Sequence, residues 1–588
     1  MFIEHIEQSK KENVVKNLME NNVITLRKIQ KKEKSINKLK DSNILSFSSL
    51  EKNYLILSSS FKLPHDFKEY WNKDGNKILI LRKCLINDDE IVSKYSIDKI
   101  DLIKFTFFQC NQLINNELNN INNDNDIQSI KFLKNIFDAN IINKLILLLK
   151  EFTNLFNEKK YDNKFFLIND SNISNNNCVS YNEIEIIIYN ICKILIRLTV
   201  ISTDFSFLIM QNDENIQLIF FTLKYFVRKN QYISTNLLII IYNLYLDDKN
   251  TILNKCDKLI PFIIENLYNY QNNPIENIIQ IDFLFNLLEF LSLLTIEKTL
   301  YLNNSDINKI IQLMINIYEN YANDSIKISS LKCLSNLFHL VNEGSELKIN
   351  ELGEFIKSLL KNLNIELNLP FVVIKTLEII SFISYLYEIE EFSSDELLNE
   401  INQLLISLVS HKENIQMYYN NNQINSIIEN ISILLLNFCL SSKDCEYIIQ
   451  NTTIIKSVIL ILYNYSIELH IVKNLYNFLN EFMDNIDNFI YLVLCNFLEI
   501  GILKNLEKYS LNKNYEIILI ILNLTYKALD YGKIDKNSNN ESDININFVQ
   551  SFFEKKGFND KLNIIISPDF GNMECVYLAK KIQEDFFS

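Results

Sequence analysis

The scarcity of glycine is the feature that most constrains what this chain can fold into. Its 588 residues include only 7 Gly and 5 Pro, and no Gly stands between Gly75 and Gly344. Hairpins, sandwiches and barrels need Gly, Pro or Asp-Gly turns every few strands. Such a long stretch without Gly therefore disfavours a β-rich fold. Because 48% of the residues are hydrophobic and 22% are charged, the chain can bury a large core. We therefore expect an all-α protein.

From about residue 135 onward, apolar stretches alternate with short polar breaks. Apolar residues recur at three- and four-residue spacing over ten or more positions, which favours helices over strands. Aligned by their cores, seven of these stretches lie 43 to 55 residues apart, at Asn243, Phe290, Asn336, Phe382, Asn437, Asn480 and Asn523. Such a period is typical of HEAT and armadillo repeats. We predict an armadillo/HEAT-type right-handed α-α superhelix, a solenoid with a long open groove; the alternative is an irregular all-helical protein.

Charge and composition divide the chain into four segments. Residues 1–40 hold ten Lys or Arg and five Glu, a balance of +5, whereas the whole chain has a net charge of −14, which leaves −19 for the rest. We interpret residues 1–42 as a basic arm, 43–180 as divergent armadillo-like helices with Asn-rich insertions, 181–532 as armadillo-like repeats, and 533–588 as a linker and a capping repeat. An acidic body argues against direct nucleic-acid binding. No uncharged apolar stretch reaches the ~18–20 residues of a membrane span, so we expect no membrane insertion.

Motifs for chemistry are sparse. The five His lie at positions 5, 65, 339, 411 and 470, and the ten Cys include no CxxC pair. No HExxH, GxSxG, Walker or GxGxxG pattern occurs. We therefore predict no catalytic residues, no metal site, no cofactor and no enzymatic activity, with free and mostly buried thiols.

Two stretches, one near each end, carry more distinctive motifs. The arm contains the triplets Leu26-Arg27-Lys28, Lys31-Lys32-Glu33 and Lys38-Leu39-Lys40. Residues 553–562 combine acidic residues, Gly, apolar residues and Lys, and the last stretch contains Ala579, Ile582, Asp585, Phe586 and Phe587. The first stretch resembles the importin-β-binding segment of the importin-α family of nuclear import adaptors. The second is similar to the opening and closing of that family's last armadillo repeat.

This resemblance implies an adaptor that binds importin-β through the arm and basic nuclear-localisation-signal proteins in the groove, shuttling between cytoplasm and nucleus. The importin-β-binding residues would be Leu26, Arg27, Lys28, Lys31, Lys32, Lys34, Lys38 and Lys40. In the family, Asn side chains hold the backbone of the cargo, and Trp residues four positions earlier hold its Lys stems. By this analogy the cargo-binding residues would be Asn243, Asn336, Asn437, Tyr476, Asn480 and Asn523.

The Trp residues of that pattern are missing. The single Trp, Trp71, lies outside the array, and Lys332 stands four residues before Asn336, where it would repel a basic cargo. This departure favours the alternative, an armadillo-type scaffold or regulatory protein-protein interaction module without import activity. A regulator of small GTPases has no specific support. An enzyme would show a deep pocket with converging polar groups, whereas we expect an open groove.

Overall fold

The computed structural model describes most of the chain beyond its first sixty residues. The described ranges are 61–73, 77–86, 88–121, 126–158, 165–168, 179–256, 258–272, 278–296, 304–340, 352–386, 394–439, 442–484, 505–534, 548–567 and 569–587. The predicted basic arm, residues 1–42, therefore lies outside the described residues. The chain divides into two compact units, Met1–Leu291 (unit 1) and Ser292–Ser588 (unit 2).

Unit 1 consists of helices and one pair of short strands. Its first elements are α1 (His65–Lys73), α2 (Lys77–Ile86), α3 (Asp88–Tyr95), α4 (Lys99–Ile121), α5 (Asp126–Ile136), α6 (Ala139–Glu158), β1 (Phe165–Ile168) and β2 (Val179–Asn182). They are followed by α7 (Glu183–Ile201), α8 (Thr203–Met210), α9 (Asp213–Phe226), α10 (Gln231–Asp247), α11 (Lys249–Lys255), α12 (Leu259–Asn272) and α13 (Ile278–Ile296), in which the division between the units falls.

The long helices of unit 1 stack in sequence. α4 packs against α7 and α7 against α10, while α6 and α9 pack against each other and against α7 and α10 respectively. Side chains at the contacts, such as Leu195 and Ile241, have no exposed surface. Each buried Leu or Ile contributes about 1.5–3 kcal/mol. Stacking therefore buries apolar faces that no single repeat could cover.

The strand pair was not predicted. β1 and β2 run antiparallel, with Phe165 opposite Asn182 and Ile168 opposite Val179. An apolar run of four residues is too short to establish a helical period, and the Asn-rich stretch that follows it hides the pairing in the sequence. β1 lies in the segment assigned to N-terminal divergent helices, residues 43–180, and β2 crosses the end of that segment and leads directly into α7.

Unit 2 repeats the helical arrangement. Its helices begin with α14 (Asn304–Asn320), α15 (Asp324–Phe338), α16 (Leu352–Leu360), α17 (Pro370–Leu386), α18 (Ser394–Ser410), α19 (Lys412–Tyr418), α20 (Asn421–Phe438), α21 (Ser442–Asn451) and α22 (Ile454–Asn464). They continue with α23 (Leu469–Asp484), α24 (Tyr515–Ile534), α25 (Phe548–Lys555), α26 (Phe558–Ile566) and α27 (Met573–Phe586). Residues 505–511 are also helical.

In unit 2, α15, α17, α20, α23, α24 and α27 form one row in which each helix packs against the next. Outside this row, α14 packs against α15, and α18 packs against α22. The row contains the predicted repeat cores at Asn336, Phe382, Asn437, Asn480 and Asn523. The predicted all-α class of armadillo or HEAT type is thereby confirmed.

The abundance of asparagine, 85 residues in the chain, has a local structural use. Asn230 Oδ1 accepts a hydrogen bond from Ile233 N at 3.1 Å, and Asn323 Oδ1 accepts one from Ile326 N at 3.2 Å. Asn420 and Gln423 form a reciprocal capping box at the start of α20. Such N-caps each stabilise a helix by about 1 kcal/mol. These asparagines therefore mark where helices begin in a chain that has few Gly and Pro residues.

Candidate protein-binding surface

The row of long helices in unit 2 carries exposed side chains such as Asn523 and Tyr577, and we call its exposed part the long-helix surface. Its helices are α15, α17, α20, α23, α24 and α27, which contain five of the six predicted cargo-binding residues. Ion pairs cross from one helix to the next: Lys473 Nζ lies 2.8 Å from Glu516 Oε2, and Lys527 Nζ lies 2.6 Å from Asp484 Oδ2. Exposed pairs of this kind stabilise by about 0.2–1 kcal/mol each. They fix the spacing of neighbouring helices rather than forming a site of their own.

Three of the predicted Asn positions are bonded to the preceding long helix. Asn243 Nδ2, in unit 1, donates to Thr199 Oγ1 at 3.0 Å. In unit 2, Asn336 Nδ2 donates to the backbone oxygen of Ser292 at 3.1 Å, and Asn437 Nδ2 donates to Ser384 Oγ at 3.1 Å. Each bond of this kind contributes about 0.5–1.5 kcal/mol. These amides therefore tie successive repeats together, with Asn243 only 6% exposed.

Asn480 lacks that tie. Ser384 lies two residues after the repeat core position Phe382, and the residue two positions after Asn437 is Cys439. At Cys439 a thiol thus replaces the hydroxyl of the preceding repeat, and its sulfur lies 3.9 Å from the backbone oxygen of Phe478. The Oδ1 atom of half-buried Asn480 is buried and has no hydrogen-bond partner among the described residues.

Tyr476, the only aromatic residue four positions before a predicted Asn, lies inside unit 2. It is 1% exposed, and its hydroxyl accepts a hydrogen bond from Asn505 Nδ2 at 2.7 Å. Burial raises the pKa of this phenol well above its usual range. The Tyr476 ring therefore packs as a core residue and leaves almost no surface for a ligand. The cargo-binding role of Tyr476, like that of the five Asn residues, stays a prediction.

Asn523 is placed differently from the other four Asn residues. Its side chain is exposed and lines an open depression of about 380 Å³ between α24 and α27. The depression is bordered by Leu519, Asn523, Met573, Glu574, Tyr577 and Leu578. Met573 is 80% exposed and Tyr577 is 70% exposed. The sequence identified Asn523 by its repeat position. It did not identify the apolar residues of α27, because only the structure shows that their side chains are exposed.

Lys332 and Lys375 place two ammonium groups on the α15–α17 part of the long-helix surface. Their ammonium groups lie 5.3 Å and 5.9 Å from the centre of the Phe371 ring. Glu378 is the carboxylate of this cluster: it accepts from Ser335 Oγ at 2.7 Å and pairs with Lys375 at 2.5 Å. Glu378 thus offsets the charge of Lys375, and the two ammonium groups share the Phe371 ring.

Unit 1 has a polar network that the sequence did not reveal. Arg197 Nη1, on α7, donates to Asn111 Oδ1 on α4 at 2.8 Å, and Asn111 Nδ2 donates to Asn190 Oδ1 at 3.2 Å. The network joins two neighbouring long helices, as the Asn bonds of unit 2 do. Asn111 belongs to the segment in which no repeat boundary could be assigned, so no alignment of repeats would have paired it with Arg197.

The described residues contain no group of His, Cys, Asp and Glu that could hold a metal ion. All eight Cys residues in the described part of the chain are buried and free. Burial raises the pKa of the Cys84 thiol to about 12 and that of Cys575 to about 11. Thiols with such pKa values are poor nucleophiles.

None of the described helices has by itself the length and hydropathy needed to cross a bilayer. One helix pair, Lys443–Asn451 with Ile454–Leu462, meets those criteria jointly but is bent by 80°.

The eight residues predicted to bind importin-β, Leu26, Arg27, Lys28, Lys31, Lys32, Lys34, Lys38 and Lys40, all lie outside the described residues. Near the other end, the predicted closing helix is present as α27, in which Ala579, Ile582 and Phe586 are buried. The backbone of Gly557, just before α26, has a φ angle of +72°. This left-handed conformation favours Gly. These residues close unit 2 at the depression that Asn523 lines.

Comparison with known proteins extends no further than overall likeness. No family model matches the sequence, and no curated protein matches it. A solved structure from a study of a phosphorylation switch in the interaction between cadherin and β-catenin is 11% identical, over 91% of this chain and 98% of that chain, with a TM-score of 0.35. A structure of SYS-1 is 10% identical over 99% of both chains (TM-score 0.39), and a complex of SYS-1 with POP-1 is 10% identical over 97% of both (TM-score 0.38). Likenesses this distant leave the partners of this chain to be inferred from its own residues.

Proposed function

We propose that this chain is a protein-binding scaffold that holds extended segments of partner proteins on the long-helix surface of unit 2. The observation that carries the proposal is the row of six helices, α15 to α27, whose neighbours are tied by side-chain bonds and whose last pair leaves an open depression. A surface built on rigid helices requires little ordering when it binds a ligand, so less of the interaction energy is lost.

The side-chain bonds between repeats support the proposal. Asn336, Asn437 and the Lys473–Glu516 pair each connect helices of adjacent repeats. Such connections hold the exposed side chains of one helix in register with those of the next. A partner in extended conformation would then meet a fixed series of polar and apolar positions, one set per repeat.

Hydrogen exchange of the full chain tests this function. A twelve-residue peptide selected from a random phage-displayed library is added in excess, and amide exchange is compared with and without it. We expect slower exchange in helices of the long-helix surface, such as α23 and α24. Slower exchange confined to α14, α18 and α22, or no library enrichment at all, would contradict the function.

A more specific candidate is an importin-α-like nuclear import adaptor, present in cytoplasm and nucleus. It is supported by the seven Lys or Arg residues between Val23 and Lys40, and by Asn residues retained at repeat positions. In this candidate the arm binds importin-β, and basic nuclear-localisation-signal proteins bind the long-helix surface. Since Lys332 stands four residues before Asn336, where it disfavours basic cargo, a basic segment would bind nearer to α24 and α27.

Pull-down with importin-β and with a lysine-rich peptide separates the two candidates. Binding of both supports the adaptor, and binding of importin-β alone supports an adaptor specialised for another cargo. Binding of neither leaves the scaffold. Deletion of residues 1–42 is the control: the adaptor requires that it abolish importin-β binding, and an unchanged affinity would exclude it.

A further inference from the structure

The depression between α24 and α27 combines exposed apolar side chains with polar groups that have no partner among the described residues. We propose that it is a docking site for one apolar side chain, aliphatic or aromatic, on an extended segment of a partner protein that carries Lys or Arg beside that residue. This inference rests on the proposed scaffold function and assigns the partner chemistry at one place on its surface.

The apolar part of the site is formed by Leu519 of α24 and by Met573, Tyr577 and Leu578 of α27. Tyr577 and Met573 are 70% and 80% exposed and share one depression, so a partner that covers them removes apolar surface from water. The depression has a volume of about 380 Å³ and is open to solvent. It therefore offers a shallow surface to a side chain rather than an enclosed cavity to a small molecule.

Asn523 supplies the polar contact. Its side chain is exposed and makes no hydrogen bond with any described residue. The reason lies on the preceding helix: the residue two positions after Asn480 is Phe482, a buried phenyl ring where Ser384 provides a hydroxyl to Asn437. An amide can both donate to and accept from a peptide group, so Asn523 can hold the backbone of a segment whose side chain enters the depression.

Glu574 determines the charge of the partner. Its carboxylate lies on the border of the depression and has no ion-pair partner among the described residues. Further along α27, the ammonium group of Lys581 lies 4.6 Å from the centre of the Tyr526 ring, and Asp585 is its acidic neighbour. Tyr526 also donates to Asp585 at 3.1 Å. An unpaired carboxylate beside an apolar surface favours a cation in the partner.

Peptide selection on the full-length protein tests the site. A random twelve-residue phage library is panned on the wild type, and the enriched sequence is synthesised with a fluorescent label. We expect enriched sequences to share an apolar residue next to Lys or Arg. The affinity of that peptide is then measured for Tyr577→Ala, Asn523→Ala and Glu574→Gln.

The expected losses in affinity are at least tenfold for Tyr577→Ala, about fivefold for Asn523→Ala, and about threefold for Glu574→Gln, the last disappearing in high salt. Tyr418→Ala is the matched control, because Tyr418 is 80% exposed and lies at the end of α19, outside the long-helix surface. It should leave the affinity unchanged. Thermal unfolding of each variant confirms that the fold is intact.

Other results overturn the inference in distinguishable ways. If peptides bind but Tyr577→Ala and Asn523→Ala leave their affinity unchanged, the docking site is wrong while the scaffold function stands. If the enriched peptides lack an apolar residue or carry Asp or Glu in place of Lys or Arg, the partner chemistry is wrong. If no peptide is enriched, both the site and the scaffold function fail.

Discussion

Two parts of the long-helix surface use the same residue type in opposite ways. At α15 and α20, Asn336 and Asn437 donate to the preceding long helix, to Ser292 and Ser384. At α23 and α24, the equivalent Asn480 and Asn523 make no such bond. For Asn437 the partner is the Ser384 hydroxyl, and the equivalent positions beside Asn480 and Asn523 hold Cys439 and Phe482. Asn336 bonds to the backbone oxygen of Ser292 as well as to its hydroxyl. The same residue type therefore stabilises the stack at α15 and α20, and at Asn523, whose side chain is exposed, it stays available to a partner.

The largest expected effect is a difference in stability between variants of Tyr476, a predicted cargo-binding residue, and of Tyr577 in the proposed docking site. Tyr476→Ala removes a buried ring and leaves the Asn505 amide without its acceptor, so it should lower the free energy of unfolding by about 3–5 kcal/mol. Tyr577→Ala removes an exposed ring and should change it by less than about 0.5 kcal/mol. Chemical denaturation of both variants provides the measurement. Equal losses would show that Tyr577 packs as a core residue.

The next effect concerns the asparagines that join repeats. Asn437→Ala leaves the Ser384 hydroxyl without its donor and should destabilise unit 2 by about 1–2 kcal/mol. The same substitution at exposed Asn523 should stay within about 0.5 kcal/mol of the wild type. Urea denaturation compares the two variants. A loss at Asn523 as large as that at Asn437 would remove the distinction between the two parts.

A double-mutant cycle isolates the bond itself. Asn437→Ala and Ser384→Ala, measured singly and together, should show a coupling energy of about 0.5–1.5 kcal/mol. Asn523→Ala combined with Ser384→Ala should show none, because these residues share no partner. Additive losses for the first pair would mean that the 3.1 Å contact contributes nothing to stability.

The smallest expected effect on stability comes from placing a hydroxyl group near Asn480. Cys439→Ser places a hydroxyl at the position that Ser384 holds in the preceding repeat, just after α20, the helix that packs against the helix of Asn480. The Oδ1 atom of Asn480 has no hydrogen-bond partner among the described residues. Cys445→Ser, also fully buried, is the matched control without that acceptor. Thermal unfolding should find Cys439→Ser more stable than Cys445→Ser by about 0.5–1 kcal/mol. The reverse order would show that Asn480 does not need this partner.

The sequence predicted the fold well because helical periodicity and the scarcity of Gly act along the chain. The spacing of the repeat cores identified Asn336, Asn437 and Asn523 as equivalent positions, and all three lie on long helices of unit 2. It could not predict which of them would be bonded, because that depends on a residue one repeat earlier. It also placed Tyr476 by helical spacing alone, and helices that are apolar on more than one face do not reveal which side is buried.

The site at the end of unit 2 was only half predictable for the same reason. Asn523 followed from the repeat period, whereas Met573 and Tyr577 belong to α27, which carries none of the predicted repeat cores. Their exposure of 80% and 70% depends on which described helices pack against α27. The spacing of apolar residues along the chain does not encode that packing.

The most direct test of the comparison pairs Asn437→Ala with Asn523→Ala and measures, for each, both the free energy of unfolding and the affinity for the selected fluorescent peptide. We predict opposite results: Asn437→Ala lowers stability and leaves the affinity within twofold, whereas Asn523→Ala lowers the affinity about fivefold and leaves stability unchanged. If both variants change the same quantity, or if Asn523→Ala changes neither, the assignment of stabilising and binding roles along the long-helix surface is wrong.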